Sequence, residues 1–118
     1  MNDMSEPKSG LERALYAQIR MASLPLPLLQ FRPIEGRRWA CDFAWTLPEH
    51  RLIVEVEGGL WQSRSGHRSA LGVLRDIEKY NTLTLAGWRV VRVTREMIEN
   101  GEALALVERA LVYDKKGG

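Results

Sequence analysis

Apolar residues recur at helical spacing through Leu11, Leu15 and Ile19 in the run SGLERALYAQIRMASLP, which stops at Pro25. That pattern predicts a first helix with its own terminator. The next three apolar runs, LLQFRPI, RRWACDFAW and HRLIVEVE, are rich in aromatic and branched residues and are separated by Glu35-Gly36 and by TLPE. These are strand lengths at hairpin-like distances, so a β-meander is the simplest arrangement. After the Gly58-Gly59 break comes the polar loop LWQSRSGHRS, followed by a helical pattern from about Ala70 to Ala86. Gly87 ends that helix, WRVVRV reads as a fourth strand, Thr94 caps a short turn, and EALALVERALV forms the last helix. The predicted order is α-β-β-β-α-β-α, with no internal repeat. Residues 1–8 and 114–118 are polar and read as disordered tails around a single domain at 9–113.

Composition changes this picture little, but it excludes several classes. At 118 residues, 45% hydrophobic and 27% charged, the chain matches one soluble domain with a single core and no room for a cofactor-binding subdomain. The lone Cys41 excludes an internal disulfide and a cysteine-rich zinc site, and its place in a strand-like run suits a small buried hydrophobe. The N-terminus is polar, and the longest apolar stretch, LPLPLL, is broken by proline. Neither a secretory signal nor a membrane span is expected, which points to a reducing, cytoplasmic setting. A net charge of +2 neither demands nor excludes nucleic acid, since 17 Lys and Arg can still line one face.

Strand parity directs attention to three acids. In the second strand Trp39, Cys41, Phe43 and Trp45 fall on one face, and Arg38, Ala40, Asp42 and Ala44 on the other. In the third strand Glu55 and Glu57 share a face with Ile53, about 7 Å apart along the strand. A hairpin through TLPEH brings Asp42 within reach of both glutamates, giving three like charges that repel one another without a cation. An exposed edge hairpin would also show acids at period two. Against that reading, LIVEVEGG is as apolar as a central strand, and a buried carboxylate is normally paired or bound to metal. Oxygen-rich donor sets suit Mg²⁺, whose chemistry belongs to phosphoryl transfer.

The ordered set CDFAW, EVEGG, RDIEKYN and GWRVVRVT resembles the core of the PD-(D/E)XK, restriction-endonuclease-like nucleases. More narrowly, it is similar to small endonuclease-like domains related to very-short-patch repair enzymes of phages and bacteria, over roughly residues 11–111. The resemblance implies an α/β fold with a central mixed sheet flanked by helices, and cleavage of DNA phosphodiesters dependent on Mg²⁺, with Mn²⁺ as a substitute. It implies a site around Asp42 and Glu55, where these two acids are expected to hold the metal, with Glu57 as a direct or water-mediated ligand. Glu57 stands where most members carry lysine, so a cation must come from elsewhere, and Lys79 on the following helix is the first candidate. His67 suits a general base, a phosphate contact or a plain surface histidine. Arg64 and Arg68 match phosphate or solvent, and Trp61 is placed to press on a sugar or base. Glu12 completes the pattern S-x-x-E with Ser9, which a capping box explains; members similar to this chain also present a first-helix glutamate to the metal.

The functional expectation is a metal-dependent endodeoxyribonuclease, against the alternative of a non-catalytic DNA-binding or assembly module that keeps the fold. RNA and branched DNA stay open as substrates. A domain this small has little surface for reading a long site, so specificity is expected from a homodimer or an associated DNA-processing protein.

Overall fold

The computed structural model describes residues 9–58 and 70–116 of the chain. The expected N-terminal tail, and the loop carrying Trp61, Arg64, His67 and Arg68, lie outside the described residues. Helix α1 (Gly10–Met21) starts where Ser9 accepts a hydrogen bond from the Glu12 backbone N–H at 3.1 Å. Three strands follow, β1 (Leu28–Phe31), β2 (Cys41–Trp45) and β3 (Leu52–Val56). They pair antiparallel in sequence order, as a meander should. Helix α2 (Ala70–Leu85) then carries the chain across, so that β4 (Arg89–Val93) joins β3 in parallel. The turn predicted at Thr94 is a short helix, α3 (Arg95–Asn100), and α4 (Glu102–Lys116) continues into the stretch expected to be a tail.

The sheet order β1-β2-β3-β4 is therefore mixed, and it separates two apolar layers. On one face Phe43, Trp45, Leu52, Val54 and Val93 pack against Leu15 and Ile19 of α1, Ile98 of α3, and Ala103, Val107 and Leu111 of α4. On the other, Cys41, Ala44 and Ile53 meet Leu83 of α2 and Trp88. Helix α2 is held there by a tight C-terminal turn. Gly87 adopts φ +92, its N–H reaches Thr84 O, and the Trp88 N–H reaches Leu83 O, which sets two residues of the second core side by side.

Simple alternation fails at one place. Cys41 and Phe43 were expected on the same face, as residues two apart in a strand should be, yet Cys41 packs in the second core and Phe43 in the first. The neighbouring strand does the same: Leu29 packs against the first core and Phe31 against the second. Between the two stands Gln30, in the left-handed region at φ +52. A left-handed residue inside a strand rotates the chain about its axis, which moves the following side chains to the other face. The register places Gln30 opposite Asp42, between the pairs Leu29↔Phe43 and Phe31↔Cys41, so the two irregular places coincide.

Candidate active site where two strands part

The paired register of β2 and β3 runs from Trp45↔Leu52 to Phe43↔Val54, and carboxylates take up the backbone groups just beyond it. Asp42 Oδ2 accepts the Val56 N–H at 2.8 Å, and Glu55 Oε2 accepts the Asp42 N–H at 3.2 Å. Each acid thus binds the main chain of the other's strand. The bonds meet the demand of buried amides for a partner and fix both carboxylates at the fork of the sheet.

From this fork the two acids lead to opposite layers. Glu55 Oε1 accepts from Lys79 Nζ at 3.0 Å and from the Tyr80 hydroxyl at 3.2 Å, both on α2. The Glu55 side chain is 11% exposed and that of Lys79 15%, so this ion pair is held in a poorly solvated place. Burial pushes the Tyr80 hydroxyl well above its ordinary range, with the Glu55 charge adding to the effect. Glu57 also belongs to this side, where Arg92 Nε donates to it at 2.8 Å and the Arg92 guanidinium lies 4.6 Å from the centre of the Tyr80 ring. The acids on the α2 side are therefore matched by cations.

Asp42 instead meets Glu12. Gln30 Nε2 donates to Glu12 Oε1 at 3.3 Å and to Asp42 Oδ1 at 3.5 Å. Burial first, and then the neighbouring Glu12 carboxylate, push the Asp42 carboxyl up against the opposing Val56 N–H and Gln30 amide, for a net value of about 6. The expected crowding of like charges thus lies between Asp42 and Glu12, rather than among Asp42, Glu55 and Glu57. The S-x-x-E pattern leaves Glu12 as either a cap or a site acid. The bond to Ser9 is made by its backbone N–H, which any residue there would supply, and its buried carboxylate faces Gln30 and Asp42.

Glu12 also lines a cleft of about 610 Å³ together with Ser9, Gly10, Leu11, Val56, Gly58 and Arg95. Glu12, whose carboxylate shares the Gln30 amide with Asp42, thus borders a space of ligand size. Cys41 sits close to the same acids, but burial first and the Glu55 charge second push its thiol up to about 12, so it offers neither a thiolate nucleophile nor a ready metal ligand.

Among the described residues, no group of three or more His, Cys, Asp or Glu side chains forms a complete metal cage. The Asp42 and Glu12 pair is nevertheless chemically suited to a hard divalent ion, since both carboxylates converge on the same amide nitrogen of Gln30. Such ions keep several waters and need only one or two protein carboxylates. Gln30 and Tyr80 were not singled out from the sequence. Gln30 had one signal, as the single polar residue of LLQF, while Tyr80 had only its place beside Lys79.

The chain is thus an α/β core, a mixed four-stranded sheet with helices on both faces and acids where two strands part. The solved structure titled Homing Endonuclease I-Bth0305I Catalytic Domain shares this fold, with a TM-score of 0.65 over 91% of this chain and 98% of that one. The two sequences are 16% identical, so the likeness speaks for the fold. No protein-family model matches the sequence, and no curated protein matches it.

Proposed function

We propose that the protein is a metal-dependent endodeoxyribonuclease that hydrolyses DNA phosphodiester bonds at the fork of β2 and β3. The observation that carries this reading is the convergence of Glu12 and Asp42 on one amide, beside a cleft and next to the Glu55–Lys79 pair. The fold shared with a homing endonuclease catalytic domain supports it. Glu12 and Asp42 would hold a divalent ion, Mg²⁺ or Mn²⁺, and Glu55 would adjoin it across the fork. When bound, that ion would supply Lewis acidity towards the phosphodiester oxygens. The chain's own groups do the rest: Val56 N–H and Gln30 orient Asp42, while Lys79 and Tyr80 orient Glu55. Lys79 also brings the positive charge that offsets charge developing on phosphorus, in place of the strand lysine replaced by Glu57. Arg95, on the cleft wall, would exchange its exposed ion pair with Glu99, 3.5 Å long, for a phosphate.

The test is incubation of the purified protein with supercoiled, linear, single-stranded and branched DNA in Mg²⁺, Mn²⁺ or chelator. Cleavage that chelator abolishes, and that Asp42→Asn lowers by at least a hundredfold, is expected. DNA retention without cleavage under every condition would select the non-catalytic binding module, and full activity in Asp42→Asn would overturn the assignment of the site.

A further inference from the structure

The left-handed backbone at Gln30 is the least expected local feature of the sheet. Positive φ within the described residues occurs otherwise at glycines and at two non-glycine positions outside the strands, Ser23 and Arg51. Glycine adopts this conformation without strain, and asparagine, aspartate and histidine are the side chains most often found there. Glutamine has no such advantage. Its presence is accounted for by what its side chain does, because a single nitrogen, Nε2, donates to both Glu12 and Asp42. At 3.3 and 3.5 Å these bonds are longer than the ordinary 2.9 to 3.0 Å for N–H···O, and therefore weak. An uncharged donor set between two acids, held by weak bonds, occupies the place where a cation would neutralise both.

We propose that Gln30 is a positioning residue of the cation site, whose amide holds Glu12 and Asp42 together in the ion-free protein and gives up at least one of these bonds when a divalent ion takes the carboxylates. The inference rests on the nuclease reading only in supposing that a cation binds there. The amide has two consequences. It limits their repulsion, so the fold does not depend on metal. Being weakly bound, it yields without a large penalty on affinity.

The experiment compares wild type, Gln30→Met and Gln30→Gly by thermal unfolding in chelator and in millimolar Mg²⁺, with Mg²⁺ affinity measured by calorimetry. Gln30→Met is expected to melt several degrees below wild type in chelator and to recover most of the deficit in Mg²⁺, because the ion replaces the lost donor. By linkage its Mg²⁺ affinity should rise several-fold. Gln30→Gly, which relieves the backbone but also lacks the amide, should show the same larger response to Mg²⁺. An equal deficit with and without Mg²⁺, at unchanged affinity, would make Gln30 a purely structural residue and overturn the proposal. A second measurement needs no variant: the side-chain amide resonance of Gln30 in ¹⁵N-labelled wild type should move on Mg²⁺ addition. An unmoved amide alongside shifting Glu12 and Asp42 carboxyl carbons would also overturn the proposal. If wild type itself gives no response to Mg²⁺ or Mn²⁺ in any of these readouts, the cation reading falls first, and the role of Gln30 with it.

Discussion

Asp42 and Lys79 lie on either side of the same fork, and their removal should affect stability in opposite directions. The folded-state carboxyl of Asp42 is raised to about 6, above its ordinary 3.8, so the folded protein holds that proton more tightly than the unfolded chain. The resulting stabilisation is fully present below pH 3.8 and is lost as pH rises through about 6. Allowing for solvent screening at this partly exposed position, it amounts to about 1–2 kcal/mol. In metal-free buffer, Asp42→Asn should therefore gain that much on wild type between pH 4 and pH 7 in urea unfolding. A difference independent of pH would contradict the raised carboxyl. Lys79→Met should do the reverse at pH 7. The Glu55 side chain, 11% exposed, would lose its cation and keep, among the described residues, uncharged partners such as the Tyr80 hydroxyl, the Asp42 N–H and the Cys41 thiol. Stranding a charge in that way costs about 1–3 kcal/mol. A urea midpoint equal to that of wild type would show that the pair is well solvated, and would weaken the case for Lys79 as the relocated cation.

At the scale of the element, α2 is the least securely held part of the site. Leu83 is its one fully buried side chain, whereas Leu71, Leu74 and Ile77 are at least half exposed. Lys79 lies one helical turn before Leu83, so the contact that seats the helix also seats the ammonium on Glu55. Leu83→Ala should cost about 2–4 kcal/mol by leaving a cavity beside Trp88. It should also loosen the Lys79–Glu55 pair, so the proposed nuclease activity should fall further than the fraction of unfolded protein explains. Activity that simply follows the folded fraction would separate the two roles. Helix α1 is seated more firmly, with Leu15 and Ile19 fully buried and Ser9 capping its first turn, and so presents Glu12 from a stable element.

For the molecule as a whole, two apolar layers share β2 and β3. Phe43 and Val54 belong to the layer under α1, α3 and α4, while Ala44 and Ile53 belong to the layer under α2, and all four are fully buried. Those strands can open only when both layers come apart. Hydrogen exchange should accordingly be slowest at the amides of these residues and follow global unfolding, with β1, at the edge of the sheet, opening at lower cost. Exchange at Phe43 or Ile53 as fast as at Leu28 would show that the layers unfold separately. The functional acids sit at the end of this most stable pair of strands, which holds Asp42 and Glu55 in position through mutual backbone bonds.

The order of elements was legible in the sequence because periodicity is a local property. Leu11, Leu15 and Ile19 mark one helix face, the three apolar runs mark three strands, and Gly87 ends α2 whatever else the chain does. Asp42, Glu55, Lys79 and Glu12 could also be named as candidates, since acids within apolar runs and an S-x-x-E start are visible in the residues themselves. The partners of each acid were not legible. Parity counts faces along a regular strand, and it cannot register the left-handed turn at Gln30 or the point where β2 and β3 stop pairing. Tertiary structure decided that Asp42 turns to Glu12 and Gln30, that Glu55 takes Lys79 and Tyr80 across the sheet, and that Glu57 goes to Arg92. All of these are contacts between groups distant in sequence, set by strand register and helix docking, so no local pattern could fix them.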